Sequence, residues 1–268
     1  MKNFLLIARP RSGTHLLREF LSGVPHLFCF SEVFHNISSQ GDYLYWPYYA
    51  GRLAADPALT WGRGDQMADL WGGYNNFLSA KAKSHRPQAT AYLTTVNYNS
   101  LHSMDGCWRN LSDPPTLFGL AKKQGSAAIH LVRSNVLRAL VSELRARQSG
   151  IWHLRVGNDV ALPPVRLNTR GLLDELTRRE QEISWVRGWL SGFSEVLELQ
   201  YESLLNDKGM LTEAVAQRLS AFLGATPTAF ATPTLKPTAG TSLAADIDNF
   251  DDVAAALRGT RFEAFLIE

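Results

Sequence analysis

Two arginines and a run of small residues stand near the start of the chain, spaced as an oxyanion site requires: Arg9-Pro10-Arg11-Ser12-Gly13-Thr14-His15. The preceding Phe4–Ala8 run is short and apolar, as in a parallel strand buried on both faces, and a helical pattern opens near Thr14. A turn from strand to helix aims several backbone N–H groups and the positive end of the helix dipole at one point. With two arginines beside it, that point suits phosphate or sulfate. Gly13 allows a positive φ or a close backbone approach. The usual nucleoside-triphosphate loop is excluded, because it needs an earlier glycine and a Gly-Lys-Ser/Thr triplet. Here Thr14 and His15 follow Gly13. No strand ends in the aspartate that would hold magnesium; Ile129–Val132 runs into Arg133 instead. The loop therefore fits a phosphate-bearing ligand without metal apparatus.

Four segments, in order, carry a family resemblance. Arg9-Pro-Arg-Ser-Gly-Thr-His-Leu-Leu17 resembles the loop that binds the 5′-phosphosulfate in sulfotransferases using 3′-phosphoadenosine 5′-phosphosulfate (PAPS). Many members carry Pro-Lys-Ser-Gly-Thr-Thr there, and bacterial carbohydrate members carry Pro-Arg-Ser-Gly-Thr. Ile129-His-Leu-Val-Arg133 with Ser142 is similar to the family's 3′-phosphate element, a strand ending in Arg with a Ser on the next helix. The nine residues from Arg133 to Ser142 resemble the trehalose and nodulation-factor branch. Leu197-Glu-Leu-Gln-Tyr201-Glu202-Ser-Leu-Leu205 resembles the family's strand followed by Tyr-Glu-Asp-Leu. The tail, Asp248-Asn249-Phe250 through Leu257-Arg258-Gly259-Thr260-Arg-Phe262-Glu, is similar to that branch's ending.

The resemblance implies a role for each matching residue. Arg11 would stabilise charge on the oxygen bridging sulfate and nucleotide, as a fixed guanidinium fork can. Arg9, Ser12, Gly13, Thr14 and His15 would supply the rest of the phosphosulfate loop. Arg133 and Ser142 would hold the 3′-phosphate, Tyr201 would lie near the adenine, and Lys236 in the late loop would reach the nucleotide. Glu32, after the second strand, resembles the carboxylate that serves as general base in trehalose-type members. A sugar hydroxyl attacks poorly until its proton is accepted, and a buried glutamate with a raised pKa could accept it. His35 is the competing base. Against these roles stand surface arginines in a turn, a neutral helix serine and a strand-end carboxylate paired with an arginine. Glu202 fits a structural cap or ion pair.

The elements that must position these residues read as α/β. Expected strands are Asn3–Ala8, Leu27–Ser31, Ala91–Val96, Ala127–Val132 and Val196–Gln200, separated by helical patterns at 14–21, 65–83, 135–148, 169–193 and 210–223. This alternation predicts a single P-loop-like domain over 1–268, a central parallel sheet of about five strands flanked by helices. Asp174, Glu175, Arg178, Arg179 and Glu182 read as a solvated helix face, and Gly224 as a C-cap. An acceptor-side insertion falls at roughly 33–88, and mobile loops at roughly 150–168 and 225–246. Ligands of open parallel sheets bind beyond the carboxyl ends of the strands, where residues 9–14, Glu32 and Arg133 could meet. Twelve aromatic residues lie between Phe28 and Phe77. Trp71, Tyr74 and Phe77 read as core, and the dense stretch Tyr43–Tyr49 as a wall for a ring-bearing acceptor. Trp185 and Trp189 read as packing residues.

Composition sets the outer bounds. The chain has 268 residues with a net charge of +2, too small for wholesale nucleic-acid binding. Two cysteines, Cys29 and Cys107, allow one bridge at most, and Cys29 in its apolar run reads as a buried thiol. No secretory signal or run long enough to span a membrane is seen, so a cytoplasmic location is expected. The expected reaction is in-line sulfuryl transfer from PAPS to a hydroxyl of a carbohydrate, glycolipid or small metabolite, leaving adenosine 3′,5′-bisphosphate and implying no metal. Expected partners are the small acceptor and, as an assembly to test, a second copy in a homodimer. A nucleotide or small-molecule kinase, and a PAPS-binding protein without turnover, are the alternatives. The first lacks a Walker lysine and a metal-binding aspartate; Arg11 and Glu32 argue against the second.

Overall fold

The computed structural model describes residues 1–35, 41–61, 64–105, 110, 112–155, 160–236 and 242–267. Five parallel strands make the central sheet: β1 (Lys2–Ala8), β2 (Leu27–Glu32), β3 (Ala91–Asn97), β4 (Ala127–Val132) and β6 (Val196–Gln200). Each lies within one residue of its expected bounds. Their order is β2-β3-β1-β4-β6. Two short strands, β5 (Leu154–Arg155) and β7 (Leu235–Lys236), pair antiparallel and tie the two irregular loops together. The described helices are α1 (Thr14–Leu21), α2 (Tyr45–Ala55), α3 (Gly64–His85), α4 (Thr116–Lys123), α5 (Val136–Ser149), α6 (Leu172–Leu190), α7 (Glu213–Leu223), α8 (Leu243–Asp246) and α9 (Phe250–Leu257). No described helix is long and apolar enough to cross a membrane.

β1 is central, so both of its faces are buried, which is why its sequence is almost continuously apolar. Phe4, Leu6 and Ala8 pack with Leu17, Leu21, Leu219 and Leu223 of α1 and α7. Leu5 and Ile7 face the other layer, with Leu70, Trp71 and Tyr74 of α3, Phe118 of α4 and Val186 of α6. A third cluster joins α5, the first half of α6 and α9 around Leu137, Leu176 and Val253. Each fully buried Leu, Ile or Phe contributes about 1.5–3 kcal/mol. The chain turns toward β2 after β1 and toward β6 after β4. The crevice between the carboxyl ends of β1 and β4 is thus the topological switch point where ligands of such sheets bind.

Three expectations change. First, α2 falls within the stretch expected as an acceptor wall: its aromatic density hides the helical period, and Pro47 lies in its first turn. Proline is tolerated there because the first turn leaves its N–H groups unpaired in any case. Second, the acceptor wall at Tyr43–Tyr49 is mainly a second core. Tyr45 is 2% exposed and stacked among Phe34, Tyr49 and Tyr74, while Tyr43, Tyr48 and Tyr49 are half-buried on the same cluster. Trp46 stays 37% exposed, its Nε1 donating to the Phe34 carbonyl. The Trp61 side chain lies outside the described residues. Third, the charged stripe of α6 is only partly solvated. Arg179 is 3% exposed, donating to Glu175 and to Glu143 of α5, and Glu182 pairs with Arg9. The C-cap stands as read: Gly224 ends α7 at φ 66°.

Candidate active site

The turn after β1 has a defined local cause. Ser12 N donates to the Arg9 carbonyl at 3.3 Å, closing a turn with Pro10 second and Arg11 third. Proline favours that second position, and a type II turn then demands a positive φ at the third. Arg11 takes it, with φ 69°, the one non-glycine residue in this region of backbone space among the described residues. A left-handed L-residue costs about 1–2 kcal/mol, a local strain of the kind that clusters at ligand sites. Gly13 follows at φ 88°, and a Cβ there would stand 2.7 Å from carbons of the Tyr201 ring. Only glycine lets the chain lie this close to Tyr201 and turn into α1. The first helical bond runs from Leu17 N to the Gly13 carbonyl, and no acidic residue stands in the first turn of α1. The positive helix end is therefore uncompensated by its own side chains.

Arg133 and Ser142 meet this turn from the other side of the switch point. Arg133 is 5% exposed, donates from Nη1 to the Arg11 carbonyl at 3.0 Å, and lies 4.6 Å over the Tyr201 ring. Burial pulls its pKa down, with Tyr201 and Glu202 opposing. Arg11 Nε donates to Ser142 Oγ at 3.2 Å, and Nη1 donates to the Trp152 carbonyl at 2.5 Å. Its pKa is also lowered, first by burial and then by Arg133. Two guanidinium groups crowded in one crevice are an arrangement that an anion would relieve. Glu202 caps the turn into α5, accepting from Ser134 N at 3.2 Å and Asn135 N at 2.9 Å.

Glu32 ends β2, at the carboxyl end of the sheet. Its Oε1 lies 3.8 Å from His15 Nε2. Burial alone would raise its pKa, but the His15 ring and the Asn97 amide lower it by more, helped by the nearby charge of His35, and the net shift is downward. The expected raised pKa is thus corrected: in this state Glu32 is held as a carboxylate. His35 N donates to the Glu32 carbonyl at 3.4 Å, so the two share the strand end.

Not every expected residue converges. The Arg9 side chain leaves the loop to pair with Glu182, its pKa lowered to about 10 by burial first and then by Arg179. Tyr201 does converge: its ring lies against Gly13 and under the Arg133 guanidinium, 4.6 Å from its centroid. The Lys236 side chain and Cys107 lie outside the described residues, although the backbone at Thr234 and Leu235 is fixed to the Glu19 carboxylate of α1. Cys29, half-buried on the edge strand, has its thiol pushed up to about 12 by burial. Sequence reasoning missed Trp152 and His153, which reach the site from a loop with no periodic signal. The His153 ring stacks on His15, with centroids 4.0 Å apart. It also missed Asn97, which a polar residue at the carboxyl end of a central strand could have signalled.

The sequence model of the Stf0 sulphotransferase family matches residues 3–250. The chain belongs to this family, and with it to the PAPS-dependent sulfotransferases. No curated protein matches it.

Proposed function

We propose that this enzyme transfers the sulfuryl group of PAPS to a hydroxyl of a carbohydrate or similar small acceptor, with Glu32 as general base. The observation that carries the proposal is the meeting, at one switch point, of the strained Arg11 turn, Arg133, Ser142 and the N-terminus of α1, with Glu32 on the adjoining side. PAPS brings the activated sulfuryl group. Backbone N–H groups of Ser12–His15 and the Thr14 hydroxyl would bind its 5′-phosphosulfate, and Gly13 gives that backbone its close approach. Arg133 would bind the 3′-phosphate through charge-assisted bonds, with Ser142 donating beside it. Arg11 sits between these groups, bonded to Ser142, and its guanidinium would turn to meet charge developing on the bridging oxygen. As in phosphoryl transfer, positioning and electrostatics would do most of the catalysis. Arg9 would act through Glu182 as an anchor of the turn.

Glu32 would take the acceptor's proton as the oxygen attacks. Its depressed pKa keeps it ionised through neutral pH, so it is ready in the required state although a modest base. Glu32→Gln should preserve folding and nucleotide binding and cut kcat by roughly a hundredfold or more, read as release of adenosine 3′,5′-bisphosphate with a panel of mono- and disaccharides. His35→Ala should be much milder. A near-native Glu32→Gln beside an inactive His35→Ala would move the base to His35.

A further inference from the structure

The first turn of α1 places a histidine against the proposed base, and a second histidine covers it. His15 Nε2 is 3.8 Å from Glu32 Oε1, and the His153 ring lies on His15 at 4.0 Å with 35° between planes. If Glu32 is the base, the proton it gains must leave before the next turnover. We propose that Glu32 and His15 form a proton relay: with the neutral His15 ring carrying its proton on Nδ1, Glu32 takes the proton of the acceptor hydroxyl and passes it to the free Nε2, and water collects it from the imidazolium. His15 acts through Glu32 and is therefore a positioning residue.

Several features support the relay. His15 is anchored by helical backbone, so its ring is presented to Glu32 from a fixed element. At 3.8 Å the pair is just beyond a hydrogen bond, and catalytic hydrogen bonds are often long before the reacting complex forms. The His15 side chain is 29% exposed, which gives the proton a way out. Asn97, at the end of β3, bears on the same carboxylate. The charged groups around the pair come from every neighbouring element. Glu32 of β2 faces His15 and His35, while His153 faces His15 and Arg18 of α1, Arg11 of the turn, and Glu32. Burial first, then His15 and Arg11, lower the His153 pKa to about 4, so an imidazolium at His15 stacks on a neutral ring instead of a second cation.

The step balances. As the acceptor oxygen bonds to sulfur, the bond between sulfur and the nucleotide's bridging oxygen breaks, and its electron pair stays on that oxygen. The acceptor's proton passes to Glu32, then to His15, then to water.

Two measurements test the relay. The first is the pH dependence of sulfuryl transfer from PAPS to the saccharide panel, from about pH 5 to about pH 9, for the wild type and His15→Asn. The relay predicts that the acid limb of the wild type differs from that of His15→Asn. In His15→Asn, kcat should fall about tenfold at neutral pH with the KM for PAPS little changed, and the limb should move down to the carboxylate range. Coincident limbs in the two proteins overturn the relay. The second needs no turnover: at one fixed pH the NMR chemical shifts of the His15 ring nitrogens should change in Glu32→Gln, and unmoved shifts overturn the pairing. A wild type that binds no PAPS would defeat the sulfotransferase site itself, and the NMR comparison would still decide on the pair.

Discussion

Between β1 and β4 the crevice is made of a turn, a helix end and two crowded guanidinium groups. Beyond β3, the described residues between 33 and 88 include a cluster of packed rings, with Tyr45, Trp71 and Tyr74 almost wholly buried. The first region stores backbone strain at Arg11 and brings together two guanidinium groups, Arg11 and Arg133, whose pKa values burial lowers, that of Arg11 being lowered further by Arg133. The second stores apolar contact, and even the buried Trp71 indole N–H has no hydrogen-bond partner there among the described residues. On the proposed assignment, function is concentrated where local structure is strained, while the aromatic region packs around Phe30, Val33 and Phe34, the neighbours of Glu32 in sequence.

The sharpest way to break that contrast is at Arg11. Glycine adopts φ 69° freely, so Arg11→Gly should leave stability unchanged or raise it by up to about 1 kcal/mol. Single-turnover transfer at saturating PAPS should nevertheless fall by about 10²–10³. An unchanged single-turnover rate would make Arg11 a binding residue and no more. The opposite pattern is expected across the sheet. Trp71→Ala should cost about 3–5 kcal/mol in denaturant unfolding, while the folded fraction keeps its affinity for adenosine 3′,5′-bisphosphate. Little loss of stability would mean that the insertion is not a core.

Trp46 sharpens the comparison, because it is the ring of the 43–49 stretch left well exposed. Trp46→Ala should change stability by less than about 1 kcal/mol and raise the acceptor KM severalfold at constant KM for PAPS. An unmoved acceptor KM would leave the whole stretch structural. The smallest effect is expected at His153. Its pKa in the fold, about 4, lies below the ordinary imidazole value of about 6.5. The neutral ring is therefore favoured by folding. Its contribution is complete above about pH 6.5 and is lost progressively as pH falls toward about 4. The effect is local: hydrogen exchange over 151–154 should lose protection in that window, and His153→Phe should flatten the response. Equal pH dependence in both would remove His153 from the account.

The frame of the crevice was legible because its parts are local. A glycine before a helix and an arginine just beyond an apolar strand are signals written within a few residues, and the five strands followed from apolar runs, whereas the positive φ at Arg11 was not read. What could not be read depends on distant contact. Arg9 was expected at the anion, but Glu182 on α6 holds it, and no spacing in the sequence announces that pair. The α6 stripe looked solvated because its partners, Arg9 and Glu143, come from elsewhere in the chain. His153 reaches His15 through a loop without periodicity, and α2 was hidden by its own aromatic density. The depressed pKa of Glu32 likewise comes from His15 and Asn97, which lie far from it in sequence.

The central claim is that the crevice between β1 and β4 recognises a nucleotide by two separate phosphates. Calorimetry of the wild-type protein with adenosine 3′,5′-bisphosphate and with AMP tests it most directly. Loss of a charge-assisted partner costs roughly 1.5–3 kcal/mol, so the bisphosphate should bind about one to two decades more tightly, and Arg133→Ala should erase most of that difference. Equal affinity for the two nucleotides in the wild type would contradict the assignment of Arg133 and Ser142.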